Sequence, residues 1–308
     1  MTPAAPPAAP RRGLAILAML TAMLIYGANF GISRHGLLNG LTTHDLTFLR
    51  FAGSGLLLLP LFLRAGVGDC AGVGWGRGLA LTISSGLPMT MLMLQGLAWS
   101  PAAHGSAIGP GTVVVVGAIG GLILFGVRPN RLTVIGIGVV LAGLACIALA
   151  ATVSGARNVL LGDLCFVAVG LIWGVYPLLL QLWRIAPLRA TAILSVLSLA
   201  MFAPWYLWHY GAHFLALPLG QVLLHGFNQG VLNVVVGLWL WGFAVREIGA
   251  AETGQYPPLI PVIGTLSAIP LLGEIPTPLQ WAGVGIIVAG LMLTAFSRRP
   301  GRAEATGP

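Results

Sequence analysis

From residue 13 to residue 296 the chain is almost continuous apolar sequence, divided by short connections into ten stretches of membrane-crossing length. A helix needs about 20 apolar residues to cross the hydrocarbon core of a bilayer. The predicted spans are 13–33, 45–63, 78–98, 103–125, 132–151, 160–181, 190–207, 219–243, 251–272 and 279–296. Only 7% of the residues are charged. A soluble domain carries about 25%, so these charges cannot cover the surface of a soluble fold of this size. The expected fold class is therefore an all-α membrane protein with ten transmembrane helices. No connection is long enough for a soluble catalytic domain. Residues 1–10 and 300–308, rich in Pro, Ala and Gly, read as flexible tails.

The net charge of +8 comes from arginine alone, since the chain has no lysine. The positions of these arginines exclude a nucleic-acid partner and set an orientation instead. Arg11, Arg12, Arg64, Arg77, Arg128, Arg131, Arg184, Arg189, Arg246, Arg298, Arg299 and Arg302 all fall on one side if the spans alternate. Only Arg34 and Arg157 fall on the other, and Arg50 lies inside the second span. Cationic loops stay cytoplasmic, so both termini and both tails are expected there, in a bacterial inner membrane. The first span follows two arginines as a signal peptide would, but it has a counterpart inside the chain, which argues against cleavage. Cys70, Cys146 and Cys165 have no paired spacing. No disulfide framework, metal motif or cofactor is expected.

That counterpart is part of a duplication. A shift of 147 residues carries Leu24-Ile25-Tyr26-Gly27 onto Leu171-Ile172-Trp173-Gly174. The same shift carries Pro110 onto Pro257, Gly117 onto Gly264, Gly126 onto Gly273, and Ala142-Gly143-Leu144 onto Ala289-Gly290-Leu291. In the middle the frame slips by one residue, matching Gly96 and Ala98 with Gly242 and Ala244. The expected units are a first five-helix repeat over 13–151 and a second over 160–297. Five is odd, so the second repeat must be inserted upside down. The arginines agree: Arg128 and Arg131 after the fourth span have Ile275 and Pro278 as counterparts. Inverted halves supply the two near-equivalent arrangements that alternating access requires.

The motif Tyr26-Gly27-Ala28-Asn29-Phe30, Leu49-Arg50-Phe51 in the second span, Pro261 through Gly273-Glu274, and Gly283 and Gly285 in the last span follow one another in an order that resembles the drug/metabolite transporter superfamily, in its ten-helix EamA-type branch. The chain departs from that pattern at Val127, where a glutamate often follows the glycine. The resemblance implies a carrier of small metabolites, similar to bacterial exporters of aromatic and other neutral amino acids.

Polar residues deep in a membrane helix usually face the bundle or a wet cavity. The eighth span carries His225, Gln229, Asn233, Gly237 and Trp241 at four-residue steps, with Asn228 beside them. Such steps keep side chains near one helical face, and a cavity-lining stripe is expected, with interhelical hydrogen bonding as the plainer alternative. Tyr26 and Asn29 in the first span, and Trp173 and Tyr176 at the repeat-related place, are further candidates. So are Met93 and Gln95 in the third span and Gln255 and Tyr256 in the ninth. Arg50 is read mainly as structural or as reaching toward the outer interface, with attraction of a substrate carboxylate as the alternative. Pro88, Gly109, Pro110, Pro257 and Pro258 are expected to kink their helices as paired hinges. No carboxylate is expected near the centre of a span.

The lining so predicted suits a small amphipathic substrate. Several buried cations would be wanted for a phosphorylated one, which makes a nucleotide-sugar or polar-metabolite carrier the second choice. A lipid-modifying enzyme would need clustered carboxylates or His/Asp metal ligands at one membrane face, and a channel would not need inverted halves. The expected partners are a small molecule and the lipid bilayer, with the protein acting as a monomer.

Overall fold

The computed structural model describes residues 10–153 and 157–297. The predicted tails, Pro10 aside, and Arg298, Arg299 and Arg302 lie outside them. The first half runs α1 (Pro10–Leu38), α2 (Thr43–Ala65), α3 (Trp75–Ser85), α4 (Leu87–Trp99), α5 (Ala102–Phe125) and α6 (Arg131–Val153). The second runs α7 (Arg157–Trp183), α8 (Pro187–Ala216), α9 (Leu219–Gly226), a π-helix (Phe227–Val236), α10 (Gly237–Thr253), α11 (Leu259–Leu272) and α12 (Pro278–Ser297). Helices α3 and α4 together form the third span, and α9 through α10 the eighth. Among the described residues nine spans are long and apolar enough to cross a membrane, and the shorter apolar α11 is the tenth. Each helix meets its own backbone hydrogen bonds, which hydrocarbon cannot do for it.

The duplication is visible in the packing. Helix α6 lies antiparallel on its repeat partner α12. A Cβ on Gly143 would stand 2.6 Å from Ile287 and 2.9 Å from the Gly283 carbonyl, while one on Gly136 would stand 2.9 Å from the Gly290 carbonyl. The residue early in one helix therefore faces the residue late in the other, and the inversion follows directly. Without a hydrophobic drive between helices in lipid, such close backbone approach is what holds them. Helices α2 and α8 repeat the arrangement: the Phe48 ring lies 4.5 Å from Tyr206, and Gly55 meets Leu199. The remaining contacts are exchanged between halves. Gly174 of α7 packs on Val116 of α5, and Gly27 of α1 on Ile263 of α11, the same pair after a shift of 147 residues. Even the helix ends match, since α5 and α11 stop at Gly126 and Gly273 with φ of 68° and 67°, the left-handed cap for which glycine carries no Cβ penalty.

The helices differ from the predicted spans in three places. The third span breaks at Gly86, whose φ and ψ are −103° and −129°, and Pro88 sits in the first turn of α4 rather than kinking a continuous helix. That position suits proline, whose missing N–H has no partner there anyway. The freed N–H of Leu87 donates to the Ser198 hydroxyl at 3.0 Å. The predicted span 251–272 is really the tail of α10, bent at Gly249 (φ 81°), then a turn, then α11. Pro257 and Pro258 thus lie in the turn before α11, not inside a helix, whereas Pro110 is inside α5. Finally, α8 runs to Ala216, well past the predicted 207. His209 and His213 look like a connection in sequence, but they continue a helix whose aromatic face stacks on the start of α2. There Asp45 closes a capping box with Thr42 and accepts from Tyr206 and His213.

If the glycine contacts between α6 and α12 hold the halves together, Gly143→Val should lower the thermal unfolding midpoint in detergent by several degrees. Overpacking of this kind costs about 1–3 kcal/mol. Gly138→Val, with nothing within 4 Å, should leave the midpoint unchanged.

Candidate functional site

A cavity of about 540 Å³ lies between the two halves. Tyr26 and Asn29 of α1, Arg50 of α2, Met93 of α4, and Trp173 and Tyr176 of α7 contribute to its wall. From the eighth span come Asn233 and Trp241; Gly109 and Pro110 come from α5, and Pro257 and Pro258 from the turn before α11. The wall reaches Pro187, Gly254 and Ala295, all at the end of the bundle that carries Arg12, Arg64 and Arg184. Toward the other end it stops at Gly105 and Phe166. The Phe166 ring is fully buried against Gly96 and Gly105, where any Cβ would stand within 3.0 Å of it.

The polar part of the wall is held in place by the π-helix, which itself contributes Asn233. Widening the helix by one residue per turn turns Asn228, Gln229 and Asn233 inward together, and such turns recur at functional sites. Gly53 of α2 and Gly230 of the π-helix touch: a Cβ on Gly53 would stand 2.9 Å from the Gly230 Cα. This approach brings Arg50 within reach of the amides. Its Nη1 donates to Asn233 Oδ1 at 3.0 Å and to Gln229 Oε1 at 3.2 Å. Gln229 Nε2 donates onward to Ser33 Oγ at 2.7 Å, and Asn228 Nδ2 donates to Asn29 Oδ1 at 2.9 Å. Tyr26 and Trp241 face each other with ring centroids 6.2 Å apart.

The candidates therefore divide. Tyr26, Asn29, Met93, Trp173, Tyr176, Asn233 and Trp241 line the cavity, as do the hinge candidates Gly109, Pro110, Pro257 and Pro258. Asn228 and Gln229 stand behind the wall and hold Asn29 and Arg50 in place. His225 is farther off, stacked on His35 at 6.4 Å and closed in by Gly36. Gln95, Gln255, Tyr256 and Pro88 are not part of the wall. Arg50 lines the cavity and does not reach toward the outer interface, which corrects that part of the sequence reading, while its bonds to Gln229 and Asn233 agree with the structural part. Its interior position was legible in the sequence, but its partners come from a helix far along the chain.

The end of the bundle beyond Phe166 carries polar ties that sequence reasoning missed. Arg34 pairs with Glu274 and also donates to the Leu97 carbonyl. Glu274 Oε2 accepts from the Ala102 N–H at 3.1 Å, at the start of α5. Asp163 accepts from Ser100 Oγ at 2.6 Å and lies 2.9 Å from His104 Nδ1. His104 Nε2 is 2.8 Å from Gln280 Nε2. An amide nitrogen can only donate, so Nε2 accepts and Nδ1 carries the proton toward Asp163. Together these bonds join spans one, three, four, six and ten with the connection after the ninth. Their counterparts at the opposite end are Gln181, Val127 and Ile16, which cannot form ion pairs. Acidic residues without a like counterpart in the other repeat were the available signal.

Ten spans among the described residues, in two inverted halves around a central cavity, define a membrane transporter. The chain belongs to the EamA-like transporter family, whose model matches residues 13–149 and again 160–296. It is therefore a multi-pass membrane protein and a transporter of small metabolites rather than an enzyme. It is 28% identical over 246 residues to a probable terminal-alkyne amino-acid exporter of Streptantibioticus cattleyicolor, covering 75% of this chain and 76% of that one. It is 26% identical over 318 residues to a probable amino-acid metabolite efflux pump of Salmonella typhimurium, covering 91% and 94%. A solved crystal structure shares the fold at 19% identity, with a TM-score of 0.60 over 94% of this chain and 99% of that one.

Removing one partner of a part-buried ion pair leaves the other charge unmatched. Glu274→Gln should therefore lower the thermal midpoint, by an amount corresponding to about 1–3 kcal/mol. Arg34→Gln combined with Glu274→Gln should recover part of that loss.

Proposed function

We propose that the protein is an alternating-access exporter of small amphipathic metabolites, above all aromatic and other neutral amino acids, in the bacterial inner membrane. The arginine distribution supports cytoplasmic termini. The observation that carries this reading is the cavity itself. Its volume falls within the range of about 300–1,000 Å³ usual for small-molecule sites, and its wall is mostly aliphatic and aromatic, with the amides of Asn29 and Asn233 and, among the described residues, a single guanidinium. The names borne by its relatives support the same substrate class.

In this orientation the cavity extends toward the cytoplasm, and the ties at Arg34–Glu274 and His104–Asp163 form the barrier on the outer side. Exporting a substrate requires those ties to open while the arginine-rich end closes. Pro110 contributes to this movement, since it removes the hydrogen bond its N–H would make to the Ser106 carbonyl. The turn at Pro257–Pro258 does so at the repeat-related place. A nucleotide-sugar carrier is disfavoured by the wall, which has one cation among the described residues where phosphates want several.

In proteoliposomes, saturable flux of labelled phenylalanine, tryptophan or leucine is expected, reduced at least tenfold in Trp173→Ala or Asn233→Ala. Movement of a nucleotide sugar with no amino-acid flux would overturn the substrate class. In the same assay Pro110→Ala should slow exchange several-fold without lowering the yield of folded protein, and unchanged rates would remove Pro110 from the mechanism.

A further inference from the structure

Arg50 is the only charged side chain in the cavity wall among the described residues. Each of its two hydrogen-bond partners, Gln229 Oε1 and Asn233 Oδ1, is the carbonyl oxygen of a neutral amide. These orient the guanidinium without cancelling its charge. The described ion pairs elsewhere join Arg12 with Glu252 and Arg34 with Glu274, so no described carboxylate neutralises Arg50. A guanidinium stays protonated in a protein, and an uncompensated charge at membrane depth is costly. Both hydrogen bonds leave from Nη1, and a guanidinium offers five donors, so the fork keeps capacity for a further planar acceptor.

The wall offers no equivalent anchor for a cationic group. No aspartate or glutamate among the described residues contributes to it, and the surfaces nearest in kind are the rings of Tyr26, Trp241, Trp173 and Tyr176. We infer that the cavity recognises its substrate by a carboxylate bound to Arg50 and an apolar tail against those rings, and that an α-ammonium group is tolerated rather than required. The inference rests on the cavity being the transport site and deepens the substrate class proposed above. It sets the minimal ligand as a monocarboxylate with a hydrophobic tail, a class that includes neutral amino acids and equally their desamino analogues.

The purified full-length chain decides this by calorimetric titration with four compounds of one shape: L-phenylalanine, 3-phenylpropionate, 3-phenylpropanol and phenethylamine, with hexanoate as a non-aromatic acid. Phenylpropionate should bind within a few-fold of phenylalanine, and the alcohol and the amine at least tenfold more weakly, as loss of a charge-assisted pair implies. Arg50→Gln should abolish the preference for the acid, and Arg50→Lys should retain part of it. If Arg50→Gln fails to fold, the wild-type series still decides. An amine that binds as well as the acid overturns the anchor and leaves amino-acid export standing. Acids that bind through Arg50 without any amino-acid flux uphold the anchor and overturn the export of amino acids. If no acid in the series binds, both fall.

Discussion

Hydrocarbon offers no hydrogen bond to a peptide group, and the rest of this structure is arranged around that fact. Among the described residues the spans are regular helix over most of their length, and they depart from it within the bundle at Gly86, through the π-helix Phe227–Val236 and at the turn before α11. Each departure adjoins the cavity: Ser85, Asn233 and Pro257 all contribute to its wall. Irregular backbone is tolerated where protein or a polar cavity meets its hydrogen bonds, as Ser198 does for Leu87. The breaks and the cavity thus imply one another. Those at Gly86 and in the π-helix occupy corresponding places in the two halves, the pattern by which inverted-repeat carriers build a site at the midplane.

Duplication explains the frame but not the polarity laid on it. The glycine contacts of α6 with α12, and of α5 with α7 against α11 with α1, follow the shift of 147 residues closely, because helix approach depends on small residues that both copies keep. The ion pairs do not follow it. Arg34, Asp163 and Glu274 have lost or never had counterparts, so the enclosed ties gather at one end of the bundle, while the other end carries the exposed Arg12–Glu252 pair. A perfectly symmetric molecule would have no preferred state. Placing hydrogen-bonded charges at one end lowers the energy of the arrangement in which that end is closed, and a substrate shifts the balance only by as much as it binds the two arrangements differently.

Span number and inversion were legible because they rest on long windows of apolar sequence and on a duplication of an odd number of spans. The ends of helices were less legible, for physical reasons. The aromatic end of α8 reads as a loop because His209 and His213 are polar, yet tertiary stacking on α2 keeps it helical. The ninth span reads as one continuous stretch only when Pro257 and Pro258 are taken as kinks inside a helix, whereas in Gly254-Gln255-Tyr256-Pro257-Pro258 they mark a turn. In the eighth span, four-residue steps point to one polar face, but a π-helix distributes that face differently. Asn233 reaches the cavity while Gln229 stands behind it and His225 faces His35. Pairings such as Arg34 with Glu274 join residues 240 apart, and nothing local announces them.

The amides around Arg50 do two things at once. Through Gln229 and Ser33 they tie the second, eighth and first spans into one hydrogen-bonded chain, and they hold a cation whose charge they leave intact. Full neutralisation by a carboxylate would have made the site rigid and indifferent to an anionic ligand. Leaving the guanidinium exposed to solvent would have weakened any pairing through screening. A charge held by neutral dipoles at membrane depth lies between these limits. It attracts an anion strongly enough to admit it, and releases it when the surrounding helices move apart and water enters. Because the same amides are borne by the π-helix, whose turns are less tightly wound, the groups that position the charge belong to the part of the bundle best able to change its geometry.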